Sequence, residues 1–237
     1  MTEQVSKYMA QNARVFCVSL SDAVSRSGEL NEVSGETLSI LGKLEAFACC
    51  IAALQKNERA SVIVRLSLAG QGTYSATADR DGIVRGRPEE KDSVGEDTME
   101  VTLQLPVRGN YTGVVTGKGL DDLVSIYFSQ SLQIASVCRV FESNGAYFCV
   151  VAEQLPGVSC DLEGLCASAS ECLPLGNIPE EFEFLESMPF RFGCTCSRAA
   201  LMRFVNSLSE ADRADLAEDG KIITYCNSCG KKYTFEL

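Results

Sequence analysis

No histidine occurs among the 237 residues. Triads and general bases built on imidazole are therefore excluded, and so is histidine as a metal ligand. No apolar run reaches the roughly 18 residues that span a bilayer. The start, Met1-Thr2-Glu3-Gln4, lacks the basic residues and apolar stretch of a signal peptide, so a cytoplasmic location is expected. Basic residues are in the minority, 21 Lys and Arg against 32 Asp and Glu, for a net charge of −11. Nucleic acid and anionic membranes both attract positive surfaces, so neither is expected as a partner.

Twelve cysteines stand out against these absences. In a reducing compartment they are free, metal-bound or redox-active rather than structural disulfides. The length suits one large domain or one domain with a small module, at about 150 residues per domain. Such a chain can bury a core without covalent staples.

Hydrophobic periodicity sets the organisation. Val15 to Leu20 reads as a strand. Ser34 reads as a helix N-cap with Glu36 in the first turn, and Leu38, Leu41, Leu44, Ala48, Ile51 and Leu54 mark one apolar helix face. Val62, Val64, Leu66 and Leu68 alternate with Ser61, Ile63, Arg65 and Ser67, a strand pattern that a turn at Gly70-Gln71-Gly72 returns. Asp81-Gly82 signals a second hairpin. Arg87 to Asp97 reads as a loop. Met99 to Leu105 and Tyr111 to Val115 read as strands, and Gly119 to Gln130 as a helix. Ile134 to Phe141 and Tyr147 to Val151 read as a hairpin turned at Ser143-Asn144-Gly145. Residues 1–152 are thus expected to form an α+β domain around a mainly antiparallel sheet with packed helices.

Residues 153–190 differ. No Lys or Arg occurs from Val140 to Phe190, and Pro156, Gly157, Pro174, Gly176, Pro179 and Pro189 punctuate the stretch. It reads as a weakly packed acidic connector, partly helical at Leu162 to Ser170. Residues 191–237 read as a separate small module.

That module carries the chemistry. Cys194-Thr195-Cys196 is followed, after 29 intervening residues, by Cys226-Asn227-Ser228-Cys229-Gly230. Two close cysteine pairs separated by a short folded insert suit tetrahedral zinc, each pair offering two thiolates on one turn. Without histidine the site is all-cysteine. Gly230 lets the chain leave the second turn in a left-handed conformation. Arg198 to Asn206 and Ser209 to Glu218 read as helices, and Lys221 to Thr224 can pair with Lys231 to Phe235. A module this small cannot hold itself by burial alone. Zinc would supply on the order of 10–16 kcal/mol. From Cys194 to the end, six basic residues (Arg198, Arg203, Arg213, Lys221, Lys231, Lys232) meet six acidic ones (Glu210, Asp212, Asp215, Glu218, Asp219, Glu236), so no phosphate-binding patch is indicated.

Zinc also keeps its ligands as thiolates, the form that peroxide attacks. Oxidised, the sulfurs can pair as Cys194–Cys196 and Cys226–Cys229. A disulfide sulfur is a poor zinc ligand, so the metal and the stability it supplied would be lost together.

At this point the residues resemble a known family. Cys194-Thr195-Cys196-Ser197-Arg198, Leu216-Ala217-Glu218-Asp219-Gly220 and Cys226-x-x-Cys229-Gly230 with Tyr233 and Phe235 look like the zinc domain of the 33-kDa heat-shock protein family, the redox-regulated holdase chaperones. Gly70-x-Gly72, Val84-Arg85-Gly86, Tyr111-x-Gly113-Val114-Val115 and Tyr127-Phe128-x-x-Ser131-x-Gln133 follow in family order. The resemblance implies a protein that is not an enzyme and uses no ATP. It implies that the reduced, zinc-bound form is inactive. Oxidation releases zinc, unfolds the linker and exposes a surface for unfolded client proteins, with a homodimer favouring the active state. Cys194, Cys196, Cys226 and Cys229 map onto the family's zinc and redox cysteines.

Two departures accompany the resemblance. The connector is shorter than the family's linker by roughly one helix, and eight further cysteines are present. The shorter connector supports a rival reading, a constitutive chaperone or interaction adaptor with purely structural zinc. A third reading, a thiol–disulfide oxidoreductase using Cys226-x-x-Cys229, lacks the βαβ context of such sites. Cys160, Cys166 and Cys172, at six-residue steps, read either as additional peroxide sensors or as small apolar packing. Cys17, Cys49, Cys50, Cys138 and Cys149 read as core. Gly117-Lys118-Gly119 is a fragment of a phosphate loop without its remaining signature.

Overall fold

A computed structural model describes residues 2–90, 93–131, 134–218 and 220–236. Gln133 and Asp219 of the family-like motifs lie outside these.

The chain is α+β and built on antiparallel sheets. Strands β1 (Gln4–Ala10) and β2 (Ala13–Leu20) open it, then helices α1 (Asp22–Asn31) and α2 (Gly35–Leu54). Strands β3 (Ser61–Leu68), β4 (Gly72–Asp79), β5 (Ile83–Glu90), β6 (Asp97–Leu105) and β7 (Gly109–Gly117) form a meander, and helix α3 (Gly119–Ser131) follows. A hairpin of β8 (Ser136–Ser143) and β9 (Ala146–Gln154) turns where Asn144 and Gly145 both take positive φ, as a two-residue hairpin requires. Next come α4 (Leu162–Cys172), β10 (Glu183–Pro189) and the two-residue β11 (Arg191–Phe192). The chain ends in α5 (Arg198–Ser207), α6 (Glu210–Asp215), β12 (Ala217–Glu218), β13 (Lys221–Tyr225) and β14 (Lys232–Glu236).

Two sheets clasp α2. One has the order β10-β1-β2-β9-β8, the other β11-β5-β4-β3-β6-β7. Leu41, Gly42 and every residue from Leu44 to Ala52 are buried. The sequence marks one apolar stripe on this helix, but it is enclosed on several sides because sheets cover opposite faces. Contrary to the sequence reading, α2 is long and apolar enough by length and composition to cross a membrane, but most of it is buried in the core. Gly42 permits the contact with β9: a Cβ there would fall 2.4 Å from the Tyr147 ring. Phe47 packs edge-on against Tyr127 and Phe128 of α3, at 5.9 and 6.1 Å between ring centroids. Ser34 occupies the N-cap of α2 without a side-chain capping bond.

Other elements differ from their sequence reading. Strand β1 and helix α1 carry weak local signals. Helix α1 is capped from a distance, since Glu3 Oε1 accepts from the backbone N–H groups of Ser21 and Ala23 at 2.7 and 2.8 Å. Strand β5 runs on through Arg87 to Glu90, where a loop was expected, because it pairs along β4. Helix α6 stops at Asp215, and Ala217–Glu218 pair with β13 instead of extending the helix.

The stretch expected to be a weakly packed connector contributes to the first sheet. Helix α4 buries Leu165, Cys166 and Ala169 against Val15, Cys17 and Val150. Strand β10 pairs antiparallel with β1, while its own residues stay largely exposed. The following chain runs parallel to β5, with Arg191 beside Ile83 and Phe192 beside Val84. That pairing delivers the chain to Cys194.

Candidate metal centre

Two short turns face each other. Cys194 and Cys196 lie between β11 and α5, and Cys226 and Cys229 lie between β13 and β14. The first turn is held at both ends. Gly193 N–H donates to the Val84 carbonyl at 3.1 Å, and the Ser197 hydroxyl caps α5 by accepting from Ala200 N–H at 3.1 Å. The second is a closed knuckle. Cys226 N–H donates to the Lys231 carbonyl and Gly230 N–H to the Cys226 carbonyl, each at 2.9 Å, with Gly230 at φ +72°. The sequence places a left-handed glycine here, and the structure has it.

All four Sγ atoms lie within 4.8 Å of one another. The Cys194–Cys226 and Cys196–Cys229 sulfurs are each 3.7 Å apart. Such a spread suits the edges of a tetrahedron around one metal ion, and an all-thiol donor set suits a soft or borderline cation. Cys229 and Cys226 are buried, at 1% and 8% exposure, while Cys194 and Cys196 are half-buried. A cleft of about 500 Å³ lined by Thr195, Ala200, Leu201 and Phe204 opens onto the cluster.

The surroundings act differently on the individual sulfurs. Burial opposes ionisation of Cys226, but N–H groups of Ser228 and Cys229 and the neighbouring thiols outweigh it, bringing the Cys226 pKa down to about 7. Burial pushes Cys194 and Cys229 up. The Tyr233 hydroxyl donates to Cys196 Sγ at 3.1 Å, and this bond raises the tyrosine pKa. Around the cluster, Val205, Ile222, Tyr233 and Phe235 make a small core of their own, and Arg198 lies 4.6 Å over the Phe235 ring.

The other eight cysteines are not part of this group. Cys17, Cys49, Cys50, Cys138, Cys149 and Cys166 are buried; Cys160 and Cys172 are half-buried around α4. Cys138 and Cys149 sit 3.8 Å apart between adjacent strands. Burial drives Cys149 well above the usual thiol range, and Cys166, whose thiol points at the Val150 carbonyl, up to about 11. The six buried thiols are shielded from solvent while the fold holds; Cys160 and Cys172 are partly accessible. The Gly117-Lys118-Gly119 amides are also committed: Lys118 N–H donates to Asp122 and Gly119 N–H to Asp97. Carboxylates stand where a phosphate would.

The sequence did not single out Asn31 or Arg87. Both reach the knuckle backbone. Asn31 Nδ2 donates to the Cys229 carbonyl at 3.2 Å and Arg87 Nη1 to the Cys226 carbonyl at 3.2 Å. No local pattern could announce contacts across 198 and 139 positions.

Comparison with known proteins agrees with this geometry. The 33 kDa chaperonin of Lactobacillus helveticus is 25% identical over 268 residues, covering 95% of this chain and 90% of that protein. The 33 kDa chaperonin of a Shewanella species (strain MR-4) is 27% identical over 202 residues, covering 77% and 70%. The crystal structure of the 33 kDa chaperonin (heat shock protein 33 homolog) from Thermotoga maritima superposes with a TM-score of 0.75 at 15% identity, over 99% of this chain and 95% of that one. The model of the Hsp33 protein family matches residues 3–236, and the chain belongs to that family.

Proposed function

We propose that this chain is a redox-regulated, ATP-independent holdase chaperone of the cytoplasm, not an enzyme. The observation that carries the reading is the four-sulfur cluster, with all Sγ atoms within 4.8 Å, in a chain whose relatives are named chaperonins. Cys194, Cys196, Cys226 and Cys229 hold one Zn²⁺ as thiolates, and the ion's role there is to join two turns that share only a small core. Residues 1–152 form the chaperone core, 153–190 the connecting segment and 191–237 the switch.

Oxidation acts on the protein's own sulfurs. Two thiolates give two electrons to one hydrogen peroxide, which takes up two protons and leaves as two waters. Repeated once, this yields Cys194–Cys196 and Cys226–Cys229 disulfides. The ligand set is then gone, and the C-terminal unit loses its main source of stability. The released apolar surface captures unfolding proteins, and a homodimer is the active form. The acidic surface keeps the loaded complex soluble.

The test is a peroxide titration with a chelating dye and disulfide mapping. The reading expects one zinc released as the two named disulfides form. Zinc retained after all four thiols are oxidised would overturn it.

One observation favours the rival, a constitutive chaperone with structural zinc. Residues 153–190 are built into the first sheet through β10 and α4, so a melting connector must first give up that packing.

A further inference from the structure

The C-terminal unit meets the rest of the chain at the β11–β5 pairing, at Phe192, which packs against both cores, and at a polar contact beside α1. Asn31 ends α1, and its side-chain amide reaches three carbonyls: Ser27 at 2.8 Å, Gly86 at 3.3 Å and Cys229 at 3.2 Å. Two N–H bonds serve three acceptors, so one is shared. Arg87, beside Gly86 on β5, reaches the Cys226 carbonyl. The two carbonyls that are gripped are those of the two cysteines of the second knuckle. Gly230 faces Asn31 so closely that a Cβ there would fall 1.7 Å from Asn31 Oδ1. Beside these bonds a cleft of about 910 Å³ separates the units, walled by Thr37, Tyr74 and Arg87 on one side and Tyr225 and Lys232 on the other.

We propose that Asn31 and Arg87 form a seat for the second cysteine knuckle, holding the C-terminal unit docked on α1 and β5 while the knuckle keeps its fold. The β11–β5 pairing and Phe192 tether the first turn, and Asn31 and Arg87 supply the side-chain hydrogen bonds that reach the second knuckle across the edge of the cleft. The seat is also rigidly connected. Ser27 is buried, and Gly86 lies against Glu45 and Leu41 of α2, where any Cβ would fall within 3 Å of both. Displacing Asn31 therefore disturbs the junction of α1, α2 and β5. Closing a ring between Cys226 and Cys229 pulls on the short loop that carries both gripped carbonyls. The knuckle would then leave its seat, and Arg87, whose Nε has no hydrogen-bond partner among the described residues, would lose a further bond. Coupling to oxidation rests on the redox reading above; the docking itself does not.

Hydrogen–deuterium exchange on the reduced, zinc-loaded full chain tests the seat. Arg87→Ala lies on the first unit and leaves α1 intact. It is expected to speed exchange in residues 226–231 roughly tenfold, the factor that one lost charge-assisted hydrogen bond corresponds to. Asn31→Ala is expected to do the same and to speed exchange in 27–33. Strand β9 should not change in either variant, which reports that the first unit is folded. If Arg87→Ala leaves 226–231 unchanged, or if Asn31→Ala affects only α1, the seat does not exist. A separate arm treats the wild-type chain with peroxide. Faster exchange in 27–33 supports the coupling, and unchanged exchange there removes it without touching the reduced-state result.

Discussion

The Tyr233 hydroxyl donates to Cys196 Sγ at 3.1 Å, from a ring that is itself buried beside Phe235. If Cys196 holds the metal, a hydrogen bond to its sulfur draws off electron density and fixes its orientation. Tyr233→Phe keeps the ring and removes the bond. Outer-shell losses of this kind weaken metal binding by about 10–100-fold. The variant is expected to fall in that range in a competitive chelator titration, and its thiols should oxidise faster with peroxide. An unchanged zinc affinity would show that the bond does not tune the site.

The order of oxidation should follow exposure. With metal bound, all four sulfurs are thiolates, so access decides. Cys194 and Cys196 are half-buried and face the smaller cleft; Cys226 lines the same cleft but is buried, and Cys229 is buried away from it. Limited peroxide followed by alkylation and mass spectrometry should find Cys194 and Cys196 modified first. Early modification of Cys229 would contradict this.

Metal removal should act locally. The C-terminal core is small, whereas the first unit has its own large core around α2. Excess chelator is expected to melt residues 194–236 while the exchange protection of β2 and β9 persists. Cys229→Ser should reproduce the effect, and Cys49→Ala should not, costing only roughly 1–3 kcal/mol of first-unit stability as a core truncation. A single cooperative loss of both units would count against separate stabilities.

The central helix carries a pH signature. Glu45 is fully buried, with the Ser27 hydroxyl beside its carboxyl. Burial raises its pKa to about 8; the nearby Ser27 hydroxyl opposes the shift and the Glu3 carboxylate adds to it. Below pH about 4.5 both folded and unfolded chains hold the proton. As pH rises from there to about 8, the unfolded chain releases it first, and stability falls by up to about 1.4 kcal/mol per pH unit. Above that the loss is complete. Glu45→Gln should match wild type near pH 5 and exceed it at pH 8 in urea melts. Parallel wild-type and variant curves would show that Glu45 does not titrate in this range.

How much of this was legible follows from which signals are local. The alternation of β3, the positive-φ turn at Asn144-Gly145 and the start of α2 lie within a few residues, and each appears where the pattern puts it. So does the pairing of β13 with β14 around the Cys226 knuckle. Strand β10 was hidden, because an edge strand with exposed side chains shows no alternation to read. The run of β5 through Arg87 depends on its pairing with β4, and the Asn31–Cys229 bond joins residues far apart in the chain.

The most direct measurement is light scattering from a heat-denaturing client protein, with this chain added either reduced and zinc-loaded or after peroxide treatment. Suppression of aggregation is expected from the oxidised form and not from the reduced form. Equal suppression by both would establish a constitutive chaperone with structural metal, and suppression by neither would contradict the chaperone reading itself.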